Sequence, residues 1–377
     1  MSVSSKDFSE ATQGMMTRTA GRDVEPEQLV AFIEAQPDFH GKVFEIEMDR
    51  TPRKAGASSG TQLFDITVEL NGKRDLHRLV FRYDTGATFF SQYDMAAQYE
   101  VMSALFKLGY PVPETMWLDR DGRIYGTAGM IMARIEATPP HVLPFEEGPI
   151  MDLAPDERSK LVFNIVRTLA RLHNLPLNSL HIPTLHTRGG GRNPLEGEIL
   201  WGKKEIDIAL DQAQLKPDRL SQYVSYRQRL DEVANLLLAN APVGRPLELV
   251  HADPGFVNYM FRGSEIAAVL DWEVAQLGYG ESDIAYVLSQ IDFYHMGRAV
   301  TEGVPSHDDI KHVYAQERGC LRNWEFCALF SAWRMANYTM LITSRFSDDQ
   351  SELENAYFDS GRERLEEAFG TWRKSGR

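Results

Sequence analysis

Leu247–Leu288 reads LELVHADPGFVNYMFRGSEIAAVLDWEVAQLGYGESDIAYVL, and the rest of the chain is organised around it. An apolar run ends in His251-Ala252-Asp253, and Asn258 follows five residues after that aspartate. Asn258–Phe261 and Glu265–Leu270 have the apolar character of two short strands, joined at Arg262-Gly263-Ser264, a hairpin turn. The second strand runs out at Asp271-Trp272-Glu273. Such a hairpin is expected to turn Asp271 back towards Asn258 and the loop of Asp253. Three polar side chains then gather at one end of an apolar ribbon.

That constellation has a chemical reading. Phosphoryl transfer needs a carboxylate to orient and deprotonate the attacking hydroxyl, and oxygen ligands for magnesium on the nucleotide phosphates. Magnesium takes one or two carboxylates together with phosphate oxygens. Asp253 fits the base, and Asn258 and Asp271 fit the metal ligands. The stretch resembles the catalytic core of the protein-kinase-like superfamily, with its Asp-x-x-x-x-Asn loop and following metal aspartate. Asp271-Trp272-Glu273, where protein kinases have Asp-Phe-Gly, resembles more closely the aminoglycoside phosphotransferase and choline kinase branch. Pro254-Gly255, Gly278 and the helix-opening Asp283-Ile-Ala-Tyr286 extend the resemblance. It implies that Asp283 braces the catalytic loop and that His251 is structural. One residue departs: the family usually has glycine where Ala252 stands, and an alanine there is tolerable where φ is negative.

Composition sets the bounds. At 377 residues and 43% hydrophobic content the chain can bury a sizeable core and is expected to split into two lobes. A net charge of −14 argues against nucleic acid as a partner and favours cationic or neutral substrates at long range. No apolar run reaches the length of a membrane span. The start, MSVSSKDFSEATQ, lacks the apolar core of a signal peptide. Cys320 and Cys327 are expected to be core residues on one helix face rather than a disulfide. Together these features point to a cytoplasmic, reduced protein.

In chain order, residues 1–36 form an N-terminal helical extension, with a helix around Glu27–Ala35 started by Asp23 and Pro26. Residues 37–135 form the nucleotide-binding lobe. Val43–Met48, Leu63–Leu70 and His77–Arg82 alternate as antiparallel strands. Between the first two, Ser58, Ser59 and Gly60 belong to a small-residue hairpin tip whose N–H groups can approach phosphate; in the resembled family this loop covers the ATP phosphates. The resemblance makes Arg82 the cation for those phosphates. It also places a glutamate on the next helix, Ser91–Leu108, to pair with that cation. Here the helical register puts Gln98 at that position and turns Glu100 about 200° away. Arg82 is therefore expected to lack an ion-pair partner and to be loosely held before phosphate arrives. Trp117–Asp119 and Met130–Ile135 are two further strands, and the second resembles the lobe connector. Its backbone groups from Met132 to Arg134 would then hydrogen-bond adenine.

Residues 136–377 form the helical catalytic and substrate-binding lobe. Ala154–Leu175 is a long helix ending near His173, a core histidine. His186–Trp201 has glycines without helical period, and Gly189–Gly191 is not a P-loop because no Lys-Ser/Thr follows. Ile206–Leu215, Leu220–Ala239, Asp308–Leu341 and Glu352–Trp372 are further helices. The expectation is an α+β, two-lobed protein-kinase-like fold: a small lobe with a five-stranded antiparallel sheet, then a mainly helical lobe. The activity implied is ATP-dependent, Mg2+-assisted phosphorylation of a small-molecule hydroxyl. The alternative is a pseudokinase-like nucleotide-binding module without turnover, which Gln98 and Ala252 favour. Aminoglycosides, hydroxyacyl-CoA thioesters, sugars and amino alcohols all remain open as acceptors. So do ATP against GTP and the oligomeric state.

Overall fold

The computed structural model describes residues 23–49, 59–86, 90, 94–139, 141, 143–185, 193–212, 217–242, 244–295, 298–344 and 351–375. The chain forms two compact units. The smaller runs to Ala137 and takes in Ala268–Glu273; the larger comprises Thr138–Ala267 and the chain from Val274 onward.

The smaller unit is built on one antiparallel sheet. Its strands are β1 (Lys42–Met48), β2 (Ser59–Leu70), β3 (Lys73–Asp84), β4 (Thr115–Asp119) and β5 (Gly129–Ala133), in the order β1-β2-β3-β5-β4. β2 ends at Leu70 as expected and begins four residues early, at Ser59, while β3 begins at Lys73, four residues before its expected start, because Asn71-Gly72 makes a tight hairpin between them. Both residues have positive φ, 52° and 75°, as a two-residue turn that matches strand twist requires. One face buries Phe64, Ile66, Leu79, Phe81 and Ile131 against Leu29 and Ile33 of α1 (Pro26–Glu34). Helix α2 (Met95–Lys107) starts where Asp94 caps it: one carboxylate oxygen accepts the N–H groups of Ala96 and Ala97 at 3.0 and 3.1 Å. Residues 91–93 and Ser58 lie outside the described residues.

The larger unit is mainly helical. Helix α3 (Pro155–His173) opens on a proline, whose missing N–H is not needed in a first turn. Helix α4 (Pro194–Gln212) begins inside the stretch expected to be loop. Pro194 starts it, and the Asn193 side chain accepts the N–H of Glu196 at 3.0 Å. Helix α5 (Pro217–Ala239) follows. Next comes β6 (Glu248–Val250), paired antiparallel with β9 (Gln276–Gly278), and the hairpin β7 (Tyr259–Arg262) and β8 (Glu265–Val269) lies between them in sequence. Then come α6 (Glu281–Tyr294), α7 (His307–Arg318), α8 (Trp324–Thr343) and α9 (Ser351–Lys374).

The stretch expected as one helix, Asp308–Leu341, is thus two. Gly319 caps α7 in the left-handed region at φ 83°, a standard helix stop. Cys320 lies exposed in that break while Cys327 is buried in α8, so the two cysteines do not share a helix face. Among the described residues no helix is long and apolar enough to cross a membrane.

Candidate active site

In the larger unit the site grows from the loop after β6. Two backbone N–H groups of that loop end on one buried carboxylate. Asp283 Oδ2 accepts His251 N–H at 2.8 Å, and Asp283 Oδ1 accepts Ala252 N–H at 3.1 Å. His173 Nε2 lies 3.2 Å from Asp283 Oδ2, while its Nδ1 lies 2.9 Å from the Tyr314 hydroxyl. Arg334, also buried, brings Nη2 to 3.7 Å from Asp283 Oδ1. Gly280, at the entry to α6, leaves room for this: a Cβ there would sit 2.4 Å from the His173 ring. His173 is therefore a brace for Asp283, and Asp283 braces the loop.

The clamp fixes an unusual backbone. Ala252 has φ +69°, in the left-handed region and not at the negative value at which an alanine is tolerable. A Cβ there costs roughly 1–2 kcal/mol. Glycine would remove that cost but add about 0.4–1 kcal/mol of unfolded-chain entropy. Ala252→Gly is therefore expected to stabilise by about 0.5 kcal/mol, read as a small rise in Tm; a fall would contradict the strain.

Asp253 follows. Asn258, at the end of a short 3-10 turn (Phe256–Asn258), donates Nδ2 to the Asp253 carbonyl at 2.8 Å and to Asp253 Oδ2 at 3.3 Å. Both are acceptors, so the amide oxygen of Asn258 is the end turned away. Tyr286 donates its hydroxyl to Asp253 Oδ1. Sequence reasoning missed Tyr286, because an aromatic on a helix reads first as core.

In the smaller unit Arg82 lies on β3, and its Nη2 is 2.5 Å from Asp271 Oδ1. Asp271 has φ +64°. Its approach is anchored on both sides: Val269 N–H donates to Pro111 O at 2.7 Å, and the Trp272 indole donates to Val269 O at 3.0 Å. The expectation of a loosely held Arg82 is thus corrected. The guanidinium has a carboxylate partner, supplied by the strand end and not by the helix. Gln98 is buried, as its register predicts, and neither of its amide atoms has a hydrogen-bond partner among the described residues. Glu100 faces Arg120 at 3.8 Å.

The other residues expected at the nucleotide fall as follows. Ser59 and Gly60 start β2 opposite Asp84 and Tyr83. A Cβ on Gly60 would lie 2.3 Å from the Tyr83 ring, so close packing alone demands the glycine. Met132 sits in β5 between Val80 and Thr115. Arg134 gives its N–H to Arg78 O at 2.9 Å and its side chain to Asp65 at 2.9 Å. Its carbonyl, not its N–H, is then what remains to meet a base.

Among the described residues no group of three or more His, Cys, Asp or Glu forms a metal cage. Magnesium that arrives on nucleotide phosphates needs only one or two protein oxygens. Within each unit taken by itself, the outward amide oxygen of Asn258 and the carboxylate of Asp271 are hard oxygen donors of the kind magnesium takes.

An antiparallel-sheet unit and a mainly helical unit of these kinds are those of a protein-kinase-like fold. Residues 67–319 match the model of the phosphotransferase enzyme family (APH), and the chain belongs to that family. Among curated proteins it is similar to "Acyl-CoA dehydrogenase family member 11" of Pongo abelii and of Homo sapiens, each 28% identical over 69% of this chain. The chain spans only 32% of those relatives' length. Among solved structures it is similar to a putative aminoglycoside phosphotransferase from Ralstonia eutropha, with TM-score 0.65 and 20% identity over 92% of this chain and 99% of that one. A Plasmodium vivax ethanolamine kinase gives TM-score 0.57 and 14% identity over 98% and 95%. A spectinomycin phosphotransferase solved with ADP and spectinomycin gives TM-score 0.53 and 12% identity over 93% and 99%. At these identities the structural likeness shows a shared fold.

Proposed function

We propose that the chain is an ATP-dependent phosphotransferase that phosphorylates a hydroxyl of a small molecule with Mg2+ assistance. The observation that supports this most is the setting of Asp253. A loop in strained backbone is clamped by a buried carboxylate, and it presents a second carboxylate held at both oxygens by donors. A merely structural loop has no need of such a group. Asp253 takes the proton of the acceptor hydroxyl as its oxygen attacks the γ-phosphorus. Arg82 turns its guanidinium from Asp271 towards the phosphates, which it can hold bidentately. Bound Mg2+, held by Asn258 and Asp271, supplies positive charge against the phosphate oxygens. Ser59, Gly60, the Met132 backbone and the Arg134 carbonyl complete the nucleotide contacts.

The metal role has its own test. Asp271→Ala is expected to abolish the magnesium-dependent part of the thermal stabilisation by ATP, about 2.7 kcal/mol at a hundred times Kd. An unchanged magnesium response would remove Asp271 from the metal site.

Relatives and neighbours carry the names of aminoglycoside phosphotransferases, ethanolamine and choline kinases, and acyl-CoA dehydrogenase family members. The acceptor classes to be tested are the four that the sequence leaves open: aminoglycosides, hydroxyacyl-CoA thioesters, sugars and amino alcohols. The net charge of −14 favours cationic or neutral ones at long range. ADP release from MgATP across these classes tests the proposal. The buried amide of Gln98, where the family glutamate would pair with Arg82, favours a second, silent reading. MgATP stabilisation without ADP release above background would select it.

A further inference from the structure

Helix α6 carries two side chains, three residues apart, that both end on the Asp253 loop. Residues at that spacing share a helix face. Asp283 holds the loop by its backbone, accepting the N–H groups of His251 and Ala252. Tyr286 holds it by the side chain of Asp253 itself, donating to Oδ1. The ring of Tyr286 is buried, and the Arg334 guanidinium that pairs with Asp283 lies 6.0 Å from its centroid. The hydroxyl is thus delivered by a rigid support shared with the backbone clamp. Burial, and then the charge and hydrogen bond of Asp253, push the tyrosine pKa well above its ordinary value, so the hydroxyl stays a donor.

We infer that Tyr286 is a positioning residue for phosphoryl transfer: its O–H holds Oδ1 of Asp253, so that the carboxylate presents Oδ2 to the acceptor hydroxyl. This rests on Asp253 being the base. The proton of the acceptor O–H moves to Oδ2 as the acceptor oxygen bonds to the γ-phosphorus. The bond from that phosphorus to the β,γ-bridging oxygen breaks, and ADP leaves with its electron pair. Asp253 later releases the proton to solvent. Tyr286 keeps its own proton throughout. The contact of Asn258 Nδ2 with Oδ2, at 3.3 Å, is long for a hydrogen bond. Tyr286 is accordingly the stronger constraint on the carboxylate plane, and misalignment of a reacting group is costly even when small.

The test uses the full chain and needs no identified acceptor, because water serves. ADP release from MgATP is measured for wild type, Tyr286→Phe, Asp253→Asn and the double variant, with MgATP thermal stabilisation measured alongside. Phenylalanine keeps the ring and its packing, so the fold is preserved while the hydroxyl is lost. Tyr286→Phe is expected to lower kcat about 10- to 100-fold, the range for a hydrogen bond to a charged group. KM for MgATP should stay within about twofold, since Tyr286 has no part in holding the nucleotide under this proposal. In the Asp253→Asn background, Tyr286→Phe should cost nothing further. A purely structural tyrosine would give losses that add. Wild-type kcat in Tyr286→Phe beside an inactive Asp253→Asn overturns this inference and leaves the base assignment standing. Wild-type kcat in Asp253→Asn overturns both.

Discussion

Asp253→Ala is expected to retain MgATP binding and lose phosphoryl transfer by a factor on the order of a hundred or more. Two effects combine in that loss. The acceptor hydroxyl no longer has a carboxylate to take its proton, and it no longer has an anchor to aim it at phosphorus. Binding should survive because the loop does not depend on this side chain. Asp283 holds the loop through the backbone of His251 and Ala252, and Asn258 still donates to the main-chain carbonyl of residue 253. The variant does leave the buried Tyr286 hydroxyl without its acceptor, at a cost of about 1–3 kcal/mol. The melting temperature must therefore be measured with the rate. Activity within about twofold of wild type in a folded Asp253→Ala protein would remove Asp253 as the base.

Much of the fold was legible because local chemistry and tertiary structure agree. The strand alternation of Val43–Met48 and the apolar period of Ala154–Leu175 both became elements, β1 and α3. The element ends were set by local signals that the sequence reading passed over: Asn71-Gly72 turns the β2–β3 hairpin, Asp94 caps α2, and Gly319 splits the stretch expected as one helix. Pro194 was a signal of the same kind, and the glycines just before it hid the start of α4. The register of α2 was also legible: the apolar residues Met102 and Leu105 put Gln98 on the buried side and Glu100 well round the helix from it.

The rest depends on contacts that sequence distance conceals. Arg82 and Asp271 are 189 residues apart, and nothing local to either predicts their pairing. Backbone strain is equally silent. Ala252 looked compatible with a negative φ, and only the two N–H groups drawn to Asp283 force it into the left-handed region. Tyr286 was hidden for a third reason. Its ring does belong to the core, and only its hydroxyl carries the chemistry.

Asp283→Asn is expected to be the most destabilising conservative substitution in the loop support. Asp283 is fully buried and meets two backbone N–H groups, the His173 ring and, 3.7 Å away, the charge of the Arg334 guanidinium. An asparagine turns one acceptor into an N–H that faces another N–H. It also leaves Arg334 as an uncompensated buried charge, which costs about 3–5 kcal/mol. Against a typical total stability of about 5–15 kcal/mol, that is a large fraction. The pH dependence gives a second reading of the same cluster. Burial alone would raise the Asp283 pKa; the hydrogen bond and charge of His173, with Arg334 and His251, outweigh it and hold the pKa below its usual value. A depressed carboxylate pKa means that the unfolded chain binds the proton more readily than the folded one. The stabilisation is then fully present above the unfolded value, about 3.9, and is lost as pH falls through the folded one. Urea melts at neutral pH and at successively lower pH should show wild type losing stability in that acid window, with Asp283→Asn starting lower and losing less. Arg334→Met in the Asp283→Asn background should recover part of the loss by removing the unpaired charge. Equal stability of Asp283→Asn and wild type at neutral pH, or identical acid slopes, would mean that the carboxylate charge does not hold the loop.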